Sequence, residues 1–224
     1  MGLAFTNSFK PASNISGELV SPSNIFAVPV FGLEFSGISD LLGLEDIVRE
    51  LCPFDMDDWD VQQTNGKIHN DKRLEPLCER IISTAEDISY NVTKYDSKCK
   101  VEITSMWGNI QPPGASLHKH SHHNSVFSGV MYVNEIDKED GEFPAIQFSR
   151  PWKSQFNPSV TEPNIYNFSQ AWVNVKKDLV VIFPAWLDHQ VKRNLTNKDR
   201  VCIAFNIMLR GRFGEDGDLE STIF

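Results

Sequence analysis

The sequence lacks the main features of membrane, secreted and nucleic-acid-binding proteins. No run of about 18 apolar residues occurs, so no transmembrane helix is expected. The first residues, MGLAFTNSFK, contain no basic segment followed by an apolar stretch, so no secretory signal is expected. The formal net charge of −9 argues against a nonspecific phosphate-binding surface. We therefore expect a cytoplasmic protein that binds neither membranes nor duplex DNA.

Cysteine is also scarce, and its spacing excludes the common disulfide and zinc motifs. The four cysteines lie far apart, and no two of them form a C-x-x-C pair. We expect them to be reduced thiols. Hydrophobic residues make up 41% of the chain and charged residues only 23%, a composition that supplies a core and excludes a wholly disordered protein.

The N-terminal part is predicted to contain one strand and two helices. Residues 25–35 are rich in β-branched and aromatic residues, which is typical of a strand. Residues 39–51 predict a short helix capped by Ser39. From residue 74 to residue 95, apolar positions recur at helical spacing, which predicts a long helix packed on a sheet.

From Lys100 onward the sequence changes to short β-rich runs separated by turn residues. These runs are VEITSMWGNI, SVFSGVMYV, AIQFS, AWVNV, DLVVIFP and RVCIAFNIML. Such a series predicts an antiparallel sandwich or jelly roll. We therefore divide the chain into an N-terminal strand and helical elaboration over residues 1–99, a β core over residues 100–210 and a polar C-terminal tail over residues 211–224.

A histidine cluster lies between the first two of these β-rich runs. Four of the six histidines fall within the segment LHKHSHHN. On an extended strand His118, His120 and His122 would point to one side, and His123 to the other. An H-x-H pair can offer two imidazoles to one metal ion, whereas the alternative is a polar loop whose histidines are merely solvated.

The second half of the chain contains a histidine and an arginine that complement this cluster. His189 follows a hydrophobic strand and a turn at Pro184, and Arg200 opens the final β-rich run eleven residues later. A metal site needs ligands that converge from distant strands. A guanidinium can bind a carboxylate through two hydrogen bonds. Together these residues indicate a metal centre with an anionic cosubstrate beside it.

These segments resemble the 2-oxoglutarate and Fe(II)-dependent oxygenase superfamily. More narrowly, they resemble a prolyl-hydroxylase-like group of bacterial and phage oxygenases with H-x-H-x-N-S-x-x-S-G-V-x-Y-V and F-P-x-W-L-x-H-x-V motifs. The corresponding segments here are HSHHNSVFSGVMYV at 120–133 and FPAWLDHQV at 183–191. The resemblance implies a mainly β fold with flanking helices, namely a double-stranded β-helix (a cupin-like jelly roll) with a long N-terminal helix packed on the sheet.

The resemblance also implies roles for individual residues. His120 and His189 correspond to the two iron-binding histidines of the superfamily. Arg200 corresponds to the basic residue that holds the distal carboxylate of 2-oxoglutarate. Tyr132 matches a position from which some prolyl hydroxylases bind the same carboxylate, and Asn109 matches an asparagine that helps to hold the keto-acid end.

The sequence departs from the superfamily at two positions. Position 122 is histidine, where the usual triad of two histidines and a carboxylate has Asp or Glu. Either His122 completes a three-histidine site or a carboxylate such as Asp188 completes the triad, and the narrower group favours His122. The second departure is Lys177, which precedes Asp178 where a glycine is usual, so a different turn is expected there.

The function implied by the resemblance is hydroxylation of a C–H bond with Fe(II), 2-oxoglutarate and O₂, supported by ascorbate. The expected substrate is a peptide or small molecule, with a peptidyl proline as the first candidate by family likeness. A homodimer and a location in bacterial or phage-infected cytoplasm are further expectations. Two alternatives stay open: a three-histidine cupin-type dioxygenase that does not use 2-oxoglutarate, and a noncatalytic phage or structural binding module that retains the fold.

Overall fold

The fold is given by a computed structural model that describes residues 27–52, 61–135, 145–152, 155–156, 158–162, 164–215 and 217–224. Strands dominate these residues, and all helical segments among them lie before residue 93. In chain order the strands are β1 Phe31–Glu34, β2 Gln62–Gln63, β3 Lys100–Gln111, β4 Leu117–His120, β5 Phe127–Tyr132, β6 Ala145–Ser149, β7 Gln170–Asn174, β8 Leu179–Pro184, β9 His189–Val191, β10 Arg200–Arg210, β11 Arg212–Phe213 and β12 Thr222–Ile223.

The larger sheet has six strands in the order β1-β8-β5-β10-β3-β2. Its central strands, β5, β8 and β10, form because β-branched and aromatic residues suit a pleated surface that is covered on both sides. Successive side chains of β10 alternate between the two faces, so Ile203, Phe205 and Ile207 are fully buried on the helix side. The other face, which carries Arg200 and Cys202, turns toward the second sheet.

The smaller sheet has four strands in the order β4-β9-β6-β7. Its buried side chains Ile146 and Phe148 pack with Val181 and Phe183 of the larger sheet in one hydrophobic cluster. This two-sheet arrangement agrees with the expected jelly roll. In the smaller sheet His189 lies opposite His120 of β4 on one side and Phe148 of β6 on the other.

Three α-helices cover the outer face of the larger sheet: α1 Ile38–Leu42, α2 Leu44–Leu51 and α3 Glu75–Glu86. α3 turns an apolar stripe that includes Leu77 and Ile81 toward the sheet. The prediction of one long helix from residue 74 to residue 95 is not supported. The α-helix has 12 residues and is followed by a separate π-helical segment, Asp87–Val92.

The start of α1 also differs from the prediction, because its cap comes from a distant residue. The Ser39 side chain makes no capping bond. Instead, the Asp178 carboxylate accepts hydrogen bonds from the backbone amides of Gly37, at 2.7 Å, and Ser39, at 3.1 Å. Asp178 itself has a left-handed backbone with φ of 63°, a conformation that aspartate tolerates better than most residues. The turn before β8 therefore does without a glycine and also anchors the N-terminal helix.

Within the expected polar tail, β11 and β12 pair as a short antiparallel hairpin. The cysteines form no disulfide, in agreement with the sequence analysis. None of the helices in the described ranges has the length and apolar character needed to span a bilayer.

Candidate metal centre

Three histidines from two distant segments of the chain converge in the cavity between the sheets. His120 ends β4, His122 follows it in the loop, and His189 begins β9. One ring nitrogen from each histidine lies within 4.8 Å of the corresponding nitrogens of the other two. The ring centroids of His120 and His189 are 4.3 Å apart, and those of His122 and His189 are 5.1 Å apart. Such a cluster can hold one metal ion.

Backbone carbonyl groups orient two of the three rings. Nδ1 of His120 lies 2.6 Å from the carbonyl oxygen of His118, and Nδ1 of His189 lies 2.9 Å from that of Leu187. A carbonyl oxygen only accepts, so each Nδ1 carries the proton and Nε2 keeps its lone pair for a metal. The third candidate ligand is held through its backbone, because the amide of His122 donates to the carbonyl of Ala185 at 2.9 Å.

Two of the imidazoles are held in the neutral form that a metal ligand requires. Burial, together with the neighbouring histidines, lowers the pKa of His122 to about 4 and that of His189 to about 3, and the hydrogen bond to Leu187 only partly opposes the shift of His189. The aromatic rings of Phe183 and Trp107 help to exclude water, since their centroids lie 4.6 Å from the His189 ring and 5.8 Å from the His122 ring.

The other candidate ligands lie outside the cluster. His118 and His123 are exposed, and His123 lines a separate surface pocket with Arg210. The Asp188 carboxylate is partly exposed and pairs with Lys119 at 3.5 Å. Among the described residues, the group that could hold a metal therefore consists of histidines only.

Arg200 lies on the face of β10 that also carries Cys202 and Ala204, two residues that line the cavity. It is almost fully buried, with 1% of its surface exposed. Its Nε donates to Oε1 of Gln111 at 2.6 Å, and its Nη2 donates to the carbonyl oxygen of Lys192 at 2.8 Å. Its Nη1 has no hydrogen-bond partner, and no described acidic side chain forms an ion pair with it. Burial lowers the pKa of Arg200, but a guanidinium keeps its charge under all ordinary conditions.

Tyr132 is a second buried donor without a partner. It lies in β5 directly opposite Cys202 of β10, and its hydroxyl group makes no hydrogen bond. Burial raises the pKa of Tyr132, with the Cys202 thiol adding to the effect and the nearby charge of Arg200 opposing it. The hydroxyl therefore stays protonated and available as a donor.

Sequence reasoning missed two polar residues that line the same cavity, Gln111 of β3 and Gln63 of β2. Gln111 lies opposite Arg200, and its Nε2 is buried without a partner. Asn109, which was expected here, accepts a hydrogen bond from Gln63 Nε2 at 2.8 Å and contacts the Cys202 sulfur through Nδ2 at 3.7 Å. The alternation of β3 could have placed Gln111 beside Asn109, but its link to Arg200 depends on strand pairing.

The comparisons with known proteins agree with this site. A family model described as "Putative 2OG-Fe(II) oxygenase" matches residues 105–206. This part of the chain is similar to the 2OG-Fe(II) oxygenase superfamily. The matched region contains His120, His122, His189, Tyr132 and Arg200. No curated protein sequence is significantly similar to the chain.

Several solved structures share the fold of this chain. A Pseudomonas putida prolyl-4-hydroxylase is 12% identical with a TM-score of 0.58, and the match covers 82% of this chain and 94% of that one. HygX from Streptomyces hygroscopicus, solved with nickel and 2-oxoglutarate, is 13% identical with a TM-score of 0.59 and coverages of 81% and 83%. A Trichoplax adhaerens prolyl hydroxylase, solved with a hypoxia-inducible-factor peptide, is 10% identical with a TM-score of 0.55 and coverages of 80% and 83%.

The residues present fit the two groups that the family name implies. Three imidazoles are suitable ligands for divalent iron. The buried cation of Arg200 and the hydroxyl of Tyr132, both with unused hydrogen-bonding capacity, are suitable partners for a carboxylate. Buried donors are normally satisfied, so two orphaned donors beside one cavity indicate an anionic ligand.

Proposed function

We propose that the protein is an Fe(II)- and 2-oxoglutarate-dependent oxygenase whose metal ligands are His120, His122 and His189. The observation that carries the proposal is a three-histidine cluster in a cavity that is also lined by Gln111, whose amide holds the buried Arg200. Nη1 of Arg200 has no hydrogen-bond partner, and no described acidic side chain forms an ion pair with this arginine. When bound, Fe(II), 2-oxoglutarate and O₂ supply the oxidation that converts C–H into C–OH, while 2-oxoglutarate is decarboxylated to succinate.

Each side chain has a distinct part in binding the cosubstrate. Arg200 and Tyr132 bind the distal carboxylate, because both have buried donor atoms that lack partners. Asn109 binds the keto-acid end. Its Nδ2 makes only a long contact to the Cys202 sulfur, and a hydrogen bond to an oxygen atom of the keto acid would be shorter and stronger. Cys202 stays protonated, since burial raises its pKa to about 11, and it therefore does not compete for the metal.

The three-histidine set has an electrostatic consequence. A neutral imidazole at position 122 leaves a divalent metal with one more unit of positive charge than a carboxylate would. This charge favours binding of a doubly negative keto acid. The partly exposed Asp188 is paired with Lys119 and does not offset it.

The proposed reaction is hydroxylation, with a peptidyl proline as the first substrate to test. Two of the neighbouring structures are prolyl hydroxylases, and one of them holds a peptide. HygX has been solved with hygromycin B, so a small molecule is the second substrate class to test. A cytoplasmic location and a homodimer complete the proposal.

Mass spectrometry of products tests this function. The protein is incubated with Fe(II), 2-oxoglutarate, ascorbate and O₂ in the presence of proline-containing peptides and a metabolite panel. We expect succinate together with a product that has gained one oxygen atom, and neither from His189→Ala. Product formation without 2-oxoglutarate consumption would instead support the cupin-type dioxygenase. The absence of both succinate and product across the panel would support the noncatalytic module.

A further inference from the structure

Gln111 occupies the position in β3 that faces Arg200 across the strand pair. The two residues are direct partners in the antiparallel register of β3 and β10. Gln111 is 1% exposed and lines the cavity that also contains the three histidines and Tyr132. Burial of a glutamine at this depth is uncommon unless its amide has partners on both sides.

The orientation of the Gln111 amide is set by Arg200. Since Nε of Arg200 can only donate, the atom that receives it at 2.6 Å is the amide oxygen, Oε1. The amide nitrogen is therefore the free end of the side chain, and it is buried without a hydrogen-bond partner. Gln111, Arg200 and Tyr132 thus contribute three unpaired donors from three neighbouring strands, β3, β10 and β5.

The choice of an amide rather than a carboxylate at position 111 matters for charge. A glutamate would accept the same bond from Arg200, but it would also neutralise the guanidinium inside the protein. The glutamine holds the guanidinium in place and leaves its charge available. No described acidic side chain takes that charge instead.

We propose that Gln111 is a specificity-determining residue that donates through Nε2 to the distal carboxylate of the cosubstrate and positions Arg200 through Oε1. The inference rests on the proposed function and extends it to the selection of a keto acid with two carboxylates. A 2-oxo acid of the same length without the distal carboxylate gains nothing from the three donors and leaves them unpaired.

The test compares two keto acids on the metal-loaded protein under nitrogen. Binding of 2-oxoglutarate and of 2-oxopentanoate, which has a methyl group in place of the distal carboxylate, is measured with Zn(II) in the site by calorimetry and ligand-observed NMR. Gln111→Glu keeps the volume and the acceptor for Arg200. We expect this variant to weaken binding of 2-oxoglutarate by about 100-fold and binding of 2-oxopentanoate by no more than about twofold. Gln111→Met, which lacks the donor, should weaken 2-oxoglutarate about tenfold.

Gln147→Glu provides the matched control, because Gln147 is a buried glutamine of β6 whose amide bonds to Gln170 and Gln190 outside the cavity. Gln147→Glu should leave the affinities for 2-oxoglutarate and for 2-oxopentanoate unchanged. Equal weakening of the two acids by Gln111→Glu would reveal a purely structural role and overturn the inference, as would wild-type affinity for 2-oxoglutarate in that variant. If the wild type bound no 2-oxoglutarate, the proposed function itself would fail, and the role of Gln111 with it.

Discussion

The histidine cluster and the buried donors of the larger sheet differ in how fully their hydrogen-bonding groups are used. The Nδ1 atoms of His120 and His189 already donate to backbone carbonyl groups. Donor atoms of Arg200, Tyr132 and Gln111, by contrast, are buried without partners. The histidines are therefore preorganised by the fold itself, whereas the donors bear an unsatisfied desolvation cost that a bound anion would relieve. This difference predicts that the two groups of residues respond differently to mutation.

The largest effect is expected from His189→Ala, which removes the most buried ligand. Metal affinity should fall by more than about 100-fold, since even loss of a group that only orients a ligand costs 10- to 100-fold. Binding of 2-oxoglutarate should be lost with the metal. Calorimetry with a divalent metal, followed by 2-oxoglutarate, measures the loss of metal affinity and the loss of 2-oxoglutarate binding. His123→Ala is the control, because His123 is exposed and lies outside the cluster. Equal losses in the two variants would contradict the assignment of ligands.

Arg200→Ala should weaken binding of 2-oxoglutarate without weakening binding of the metal. It removes a charge-assisted interaction worth about 2–4 kcal/mol, so 2-oxoglutarate affinity should fall about 30- to 1000-fold while metal affinity changes little. Arg200→Lys should recover only part, because an ammonium group lacks the planar fork. Titration of 2-oxoglutarate into the metal-loaded variants under nitrogen gives the 2-oxoglutarate affinity of each variant. Wild-type 2-oxoglutarate affinity in Arg200→Ala would contradict the account.

Tyr132→Phe should give a smaller loss of binding and no loss of stability. Removing one donor to a carboxylate costs about 1.5 kcal/mol, or about tenfold in 2-oxoglutarate affinity. The hydroxyl has no partner in the ligand-free protein, so its removal should leave the free energy of unfolding unchanged or raise it. Urea unfolding without ligand measures this second effect. A clear loss of stability would mean that the hydroxyl is already bonded.

The smallest effect is expected from Asp188→Asn. This carboxylate is partly exposed and pairs with Lys119 at 3.5 Å, an arrangement that contributes little. Metal affinity should stay within about twofold of the wild type. Competition with a chelator measures it. A large loss of metal would show that Asp188, and not His122, completes the site.

The strands were predictable because their hydrophobic runs are long and bounded by turn residues. Six β-rich runs correspond to β3, β5, β6, β7, β8 and β10. The short strand β9 was missed because it has only three residues, two of them polar. The long helix was overestimated, since the apolar periodicity continues through a π-helical segment whose hydrogen bonding it does not reveal.

The histidine cluster was predictable only in part from local spacing. Strand alternation placed His118 with His120 and His122, but β4 ends at His120 and the chain then leaves the strand. The position of His122 depends on a bond to Ala185, a residue far along the chain. Gln111 was missed for a similar reason, because its partner Arg200 is 89 residues away. Long-range pairing of this kind leaves no mark in the local sequence.

A crystal structure grown under nitrogen with a redox-inert divalent metal and 2-oxoglutarate tests the central claim most directly. The account predicts one metal ion bound by His120, His122 and His189, each at about 2–2.3 Å as for ordinary imidazole–metal bonds, with the distal carboxylate of 2-oxoglutarate against Arg200 and Tyr132. A metal bound by Asp188 or His123 in place of His122, or a keto acid bound away from Arg200, would contradict it.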